Sequence, residues 1–305
     1  MNYDVVIVGA GAAGLSAGIA LVRSRRSVLI VDAGEPRNAP ADGVHNHLGH
    51  EGIPARQLLA IGRADFEGYG GTFRSCVVTE TRAIPGGFEV GLADGSRFTA
   101  RRLIITTGLV DELPDIPGLQ QRWGRDVLHC PYCHGWEVRD QAIGVLATSP
   151  QFMHHVLLFR QLSKDVTVFL HKADLAGDER TQLAARGIKL VEGEVVGIEV
   201  TDDRLAGVRL RSGDVVACQA LAVQPVFKPR NELDVPGAML AGNAADPMAT
   251  VGKAAADGVA AGAGINYELA QEDTDRAVAQ YTMARLEAGL TELVMGDRRH
   301  GLVNG

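Results

Sequence analysis

"VVIVGAGAAG", residues 5–14, decides the fold of this chain. Val5 to Val8 is an apolar, β-branched run of the kind that forms a strand buried on both faces of a parallel sheet. Gly9, Gly11 and Gly14 follow at once as G-x-G-x-x-G. Leu15, Ile19 and Val22 then recur at helical spacing up to Arg23, and Ser27 to Val31 is a second apolar run that ends on Asp32. Strand, glycine turn, helix and strand in that order make a βαβ unit suited to a dinucleotide. Gly9 permits the tight turn, Gly11 lets bare backbone approach a pyrophosphate, and Gly14 lets helix and strand pack closely. The helix N-terminus offers N–H groups to phosphate. Asp32, 21 positions after Gly11, is placed to accept from a ribose hydroxyl. The motif alone does not separate FAD from NAD.

Outward from this unit the chain keeps an α/β character. Its 305 residues suffice for two domains, with 46% hydrophobic and 22% charged residues. A net charge of −7 argues against a nucleic-acid partner, which needs a basic face. The opening apolar run is short and lacks a basic leader, and no stretch is long enough to span a bilayer. A cytoplasmic setting with no membrane contact is expected. Four cysteines are too few for a disulfide scaffold, and Cys76 and Cys218 read as small buried hydrophobes.

After Asp32 an irregular stretch marked by Pro36, Pro40, Gly43 and Gly49 carries His45, His47 and His50. These read as solvated loop histidines or as a loop beside the active site. Residues 53–69 read as helix. Residues 73–80, 87–92 and 96–105 read as strands of a small antiparallel sheet, with Asp94-Gly95 as a hairpin turn. Leu103 to Ile105 runs into Thr106-Thr107-Gly108. Two Pro-Gly stretches, Pro114 to Gly118 and Asp234 to Gly237, are candidate hinges around an insert of roughly 115 residues.

The insert repeats the βαβ pattern in residues 142–146, 151–162 and 166–170. Its turn holds Ala147, Ser149 and Phe152 at the small-residue positions of the fingerprint. Ser149 puts a Cβ where backbone should meet pyrophosphate, and Phe152 fills the close helix–strand approach. Basic residues after the second strand are sparse. The insert therefore reads as a nucleotide-binding shell with a damaged site. Beyond the second hinge, residues 239–243 read as a strand ending in Gly242-Asn243. Residues 250–269, rich in Ala and Gly, read as a closely packed helix whose N-terminal dipole favours negative charge on a bound cofactor. Residues 277–294 read as a further helix, with Leu286, Leu290 and Val294 at four-residue spacing. It would be a packing helix, at a dimer interface for example, or a lid over the substrate.

The insert also contains "HCPYCHG", residues 129–135, which fits three chemistries. C-type haem needs export and a haem fold around Cys130, Cys133 and His134, and neither is visible. Zinc needs a closed set of four ligands, and no second C-x-x-C exists. No metal site is therefore expected. A redox dithiol agrees with a dinucleotide-binding context. A thiolate is the nucleophile in exchange, Pro131 stiffens the turn, and His134 or His129 can exchange a proton near neutral pH.

The N-terminal GAGAAG with Asp32, the turn at 106–108, the C-x-x-C within an insert and the late AGN strand before a small-residue helix occur here in order. Over about residues 1–270 the chain resembles the low-molecular-weight thioredoxin reductase-like flavoproteins. The resemblance implies two Rossmann-like, three-layer ββα domains, the second inserted in the first. Residues 1–113 and 234–305 would bind FAD, and residues 117–231 would form the NADPH-domain-like insert. It implies that Gly9, Gly11, Ala12, Ala13, Gly14, Asp32, Ala33, Thr107, Gly108, Gly242 and Asn243 line FAD. It implies a homodimer, with Cys133 exchanging electrons with the flavin and Cys130 meeting substrate. The chain departs from the reductases in the damaged fingerprint, in His134 where they carry Asp, and in Gly242-Asn243 where they carry Gly-Asp. CPYCHG beside a degraded nicotinamide site is similar to the dithiol oxidase branch, which closes disulfides in natural products such as gliotoxin and holomycin. The expected activity is oxidation of a small-molecule dithiol through Cys130, Cys133 and FAD with O2 as acceptor, His134 moving protons. The alternatives are a disulfide reductase fed by NADPH or another donor, acting on thioredoxin or a similar protein, and an idle flavoprotein serving as a binding module.

Overall fold

A computed structural model describes residues 2–149 and 151–299. Pro150 of the insert turn, the Val294 side chain and residues 300–305 of the tail lie outside what is described. The strand Asn2–Val8 is central in a seven-stranded sheet, flanked in parallel by Val28–Asp32 and Arg97–Ile105. Met239–Leu240 returns to this sheet beside Ile104 and Ile105. One face is covered by the helices Ala12–Arg23, Ala55–Gly68 and the first part of Val251–Arg299 around Val5, Ile7, Ile30 and Ile104. The other face packs Val6, Val8, Leu29 and Ile105 against Phe88 and Val90.

Two expectations change in detail. The expected run 73–80 breaks at Cys76 and Val77. Thr72–Ser75 pairs with the edge of the parallel sheet, while Val78–Ile84 joins an antiparallel hairpin. That hairpin is no separate sheet. The nine-residue strand Arg97–Ile105 is long enough to pair antiparallel with Gly87–Leu92 at its start and parallel with Asn2–Val8 along its length. The turn at Asp94 and Gly95 closes the hairpin, with Gly95 at φ +84°.

A second, five-stranded sheet is wholly parallel. Its order is Lys189–Val191, Val166–Phe169, Ile143–Leu146, Ala220–Val223 and Val127–Leu128. The helix Phe152–Leu162 covers it, and a three-stranded antiparallel sheet over residues 195–217 packs nearby through Val195, Leu205 and Val208. Between the two sheets the chain crosses twice, and the crossings pair with each other: Leu109–Glu112 runs antiparallel to Val226–Pro229. Each arm of this ribbon lies just ahead of one of the two Pro-Gly stretches in the chain.

The last helix is continuous from Val251 to Arg299, where the sequence pattern suggests two. No Gly or Pro interrupts residues 265–288. Arg26, Arg101 and Arg102 also bind Asn266 and Glu268 near the end of the first expected helix and Glu272 and Asp273 in the stretch between the two. Gly258 and Gly262 lie against the backbone of Ala13 and Ala17, where an added Cβ would fall 2.0 Å and 2.8 Å from carbonyl oxygens. Past the ion pairs, Tyr281, Leu286, Leu290 and Leu293 are exposed. Among the described residues no helix is long and apolar enough to cross a membrane.

Candidate active site

The glycine turn is shaped by contact. Gly9 sits at φ +102°, and a Cβ there would lie 2.5 Å from the Thr106 carbonyl oxygen. A Cβ at Gly14 would lie 1.9 Å from the Gly9 carbonyl oxygen, which forbids any side chain. Gly11 is different: nothing lies within 4 Å of its Cβ position, so bare backbone faces open space at the N-cap of the helix. That is the cradle a pyrophosphate requires. Asp32 accepts from the Ala10 N–H at 2.6 Å and from the Gly34 N–H at 2.7 Å, one bond to each carboxylate oxygen. It thus braces the turn it was expected to serve. A carboxylate has about four acceptor positions, which leaves capacity for a ribose hydroxyl. Ala12 and Ala13 open the helix behind the turn, and Ala33 is exposed beside Asp32.

The remaining expected cofactor residues gather at the same strand ends. Thr106 Oγ1 donates to the Val8 and Gly9 carbonyls, both at 2.9 Å. Thr107 Oγ1 donates to the Arg230 carbonyl at 2.6 Å, and the Arg230 N–H returns a bond to Gly108. Gly242, at φ +64°, would put a Cβ 2.7 Å from that of Ala13. The Asn243 amide donates to the Asp246, Pro247 and Ala249 carbonyls and so clamps the loop entering the last helix. Its carbonyl oxygen accepts from Arg37 at 3.4 Å. The amide donors of this side chain are thus spent on the loop.

Cys130 and Cys133 form a disulfide, with Cα atoms 5.2 Å apart. Pro131 to His134 is one helical turn with Pro at its first position, where the missing N–H costs nothing. Cys130 caps it, its Sγ accepting from the Cys133 N–H at 3.1 Å. Gly135 follows because a Cβ there would strike the Pro131 carbonyl at 2.2 Å and Leu162 at 2.4 Å. Cys133 is exposed and Cys130 half-buried, so exposure does not mark Cys130 as the substrate-facing sulfur. His134 is half-buried at the end of the turn.

His129 is also half-buried, but its ring is more enclosed. Burial, helped by the neighbouring His155, pushes its pKa down to about 4. Its Nδ1 is buried without a partner, and its ring meets His155 at 4.7 Å and Phe227 at 5.3 Å. Burial also lowers His155. His129 is therefore neutral at pH 7 and a poor proton acceptor. Arg37 was not singled out by the sequence reading. It pairs with Asp111 at 2.7 Å and lies over the Phe227 ring, joining the Asn243 loop to the crossing ribbon. A long-range pair of this kind leaves no local sequence signal.

In the insert, Ala147 and Phe152 are buried in the core, at 2% and 3% exposure, and the Ser149 hydroxyl is buried without a partner. A cavity of about 670 Å³ opens beyond the Val166–Phe169 strand, lined in part by His171, Asp174, Arg180 and Glu192. Arg180 is paired to Glu192 and Lys172 to Glu194. Of the lone cysteines, Cys218 is buried, which pushes its thiol up to about 12, and Cys76 is half-buried. Among the described residues no group of three or more His, Cys, Asp or Glu side chains is arranged to hold a metal.

With this geometry in view, comparison with known proteins gives a consistent answer. Residues 3–234 match the pyridine nucleotide-disulphide oxidoreductase family. The crystal structure of HlmI superposes with a TM-score of 0.88 at 41% identity, over 93% of this chain and 97% of that one. Thioredoxin reductase sirT of Leptosphaeria maculans is 29% identical over 89% of this chain and 95% of its own length. A probable thioredoxin reductase of Arthroderma benhamiae is 34% identical over 56% of this chain and 44% of its own. The chain belongs to the pyridine nucleotide-disulphide oxidoreductase family. It is a thioredoxin reductase-like flavoprotein, a flavin disulfide oxidoreductase with FAD as its cofactor, and the open backbone at Gly11 fits that group.

Proposed function

We propose that this protein oxidises a small-molecule dithiol to its disulfide, with O2 as the final acceptor and hydrogen peroxide as co-product. The observation that carries this reading is the pairing of an intact Cys130–Cys133 disulfide with an insert turn plugged by Phe152. Electrons then have an entry through sulfur and a poor one through a nicotinamide. FAD, when bound, supplies a two-electron acceptor that a dithiol can reduce and oxygen can reoxidise. Gly9, Gly11, Ala12, Ala13, Gly14, Asp32, Ala33, Thr107, Gly108, Gly242 and Asn243 would hold it.

One substrate thiolate attacks Cys130 Sγ, forming a mixed disulfide and expelling the Cys133 thiolate. The second substrate thiol loses its proton to His134 and attacks the substrate sulfur of that mixed disulfide. Cys130 leaves as thiolate, and the product departs with its S–S bond closed. Two electrons remain on the Cys130/Cys133 pair, and its oxidation restores the starting disulfide. Overall, dithiol plus O2 gives disulfide plus hydrogen peroxide. Neutral His129, its Nδ1 buried, packs beside the turn. We also assign a homodimer and a cytoplasmic setting to this reading, the former supported by the exposed leucines of the last helix.

The second reading, a disulfide reductase fed by NADPH, is favoured by the names of the relatives. An anaerobic visible spectrum separates the two. Bleaching of the yellow protein by a small dithiol and not by NADPH, with recovery in air, is the expected result. Immediate bleaching by NADPH establishes the reductase.

A further inference from the structure

The redox turn belongs to the insert, and the glycine cradle belongs to the unit that carries the seven-stranded sheet. The chain joins the two through the crossing ribbon. Electron exchange between Cys130/Cys133 and FAD therefore depends on the contacts that set one unit against the other. The segment of residues 37–53, which follows the Asp32 strand, reaches across repeatedly. Arg37 grips Asp111 of the ribbon with two bonds, at 2.8 and 2.7 Å. Pro40 lies against Gly124, where an added Cβ would fall 2.7 Å from the proline Cβ. His45 Nε2 lies 3.5 Å from Glu137, past the redox turn. The Asn46 side-chain amide donates to the Tyr132 carbonyl, inside C-x-x-C itself, at 2.6 Å.

The segment is braced to bear this last contact. The Val44 N–H donates to the Ile53 carbonyl at 2.8 Å, and the Gly52 N–H to the Val44 carbonyl at 2.9 Å. The Glu51 carboxylate accepts from the Asn46 N–H at 2.8 Å and meets His45 Nδ1 at 2.7 Å. Asn46 sits at φ +58°, a left-handed conformation that Asn and Asp adopt more readily than other residues with a side chain. Its partner, Pro131–His134, is a single helical turn, too short to hold its place by its own bonds. An anchor at Tyr132, the residue before Cys133, thus fixes much of it.

We propose that Asn46 is a positioning residue for the redox step: acting through the Tyr132 carbonyl, it fixes the C-x-x-C turn of the insert against the FAD-binding unit and so sets how fast Cys130 and Cys133 pass electrons to the flavin. In that step the two thiols lose two electrons and two protons to FAD, which is reduced to FADH2, and close their S–S bond. Misplacing a reacting group by about 1 Å costs on the order of 10²-fold in rate. The effect therefore falls on the rate of transfer and leaves its equilibrium alone. The inference rests on the part of the reading above in which these cysteines feed the flavin, and is indifferent to the substrate that feeds them.

Asn46→Asp keeps the size and the left-handed preference and removes the donor. Holoenzyme is mixed with dithiothreitol without oxygen, and the limiting rate of flavin bleaching at saturating thiol is read. It should fall about tenfold, with the melting temperature and the reduction potential of the cysteine pair as in the parent. Both tryptophans, Trp123 and Trp136, lie in the insert, so their energy transfer to the flavin reports placement independently of activity. That transfer should fall in the variant. Asn46→Gly, which tolerates the same backbone, should behave alike. An unchanged bleaching rate, a slower rate with unchanged energy transfer, or a shifted reduction potential overturns the inference while the reading stands. Bleaching of the parent no faster than that of Cys133→Ser overturns both, since the cysteines would not feed the flavin.

Discussion

Residues 9–14 and residues 147–152 occupy the same place in two βαβ units, and they have come to opposite ends. In the first, three glycines keep side chains out of a turn that touches its own backbone, and Gly11 leaves an open cradle. In the second, Phe152 fills the approach between helix and strand and belongs to the hydrophobic core. The same topology therefore leaves an open turn in one case and a packed one in the other. The βαβ shell needs only apolar strands and an amphipathic helix, whereas ligand binding needs the absence of side chains at three positions.

The sharpest break in this comparison is at the sulfurs. Cys130→Ser or Cys133→Ser should abolish dithiol oxidation, more than about 10³-fold, while the flavin spectrum persists. Oxygen uptake with dithiothreitol measures it, and retained turnover removes the proposed chemistry. The two turns can then be set against each other. Gly14→Ala should cost the protein its FAD or its fold, since the new methyl group would lie inside van der Waals contact with Gly9. Phe152→Ala should cost about 3–5 kcal/mol of stability by opening a cavity and should not create NADPH binding. Urea denaturation and a nucleotide titration together read this, and a stable, NADPH-binding variant would show that the phenylalanine merely blocks a working site.

His134→Ala should lower turnover about 10²-fold, the usual contribution of a general base, with FAD still bound. Activity with a dithiol that is unchanged would move the proton transfer elsewhere. His129 should show itself in stability instead. Its pKa is held near 4 in the fold against 6.5 when exposed, so between those values the unfolded chain takes a proton that the folded chain refuses. Its contribution is complete above pH ~6.5 and is lost as pH falls toward 4, at most about 3 kcal/mol. Denaturation midpoints at pH 7 and pH 4.5 should converge in His129→Phe relative to the parent. The smallest effect is expected at Ser149→Ala. Removing a buried hydroxyl without a partner should leave stability unchanged or raise it by under about 1 kcal/mol.

Much of this architecture is legible because it is written locally. A strand, a glycine fingerprint and an acidic residue 21 positions after Gly11 carry their own physics, and so does a turn in which Phe152 replaces a small residue. The sequence reads the last helix as two, over 250–269 and 277–294, and the stretch between them holds Glu272 and Asp273. Arg26, Arg101 and Arg102, up to some 250 positions away in sequence, neutralise it. The residue types alone could not say that His129 is held neutral. Burial against His155 and Phe227 decides that for His129. The 40s loop was open between solvent and active site, and the bond from Asn46 to Tyr132 places it at the dithiol.

The sequence by itself determined the α/β class, the family, the dinucleotide cradle and the redox pair. Each depends on residues close in the chain, where backbone sterics and side-chain size act directly. The tertiary structure alone decided which loop is bonded to the redox turn, which carbonyls occupy Asn243, and which histidine has a ring nitrogen buried without a partner. These are set by partners far apart in sequence, whose meeting follows only once the two sheets have formed and their connecting strands have paired.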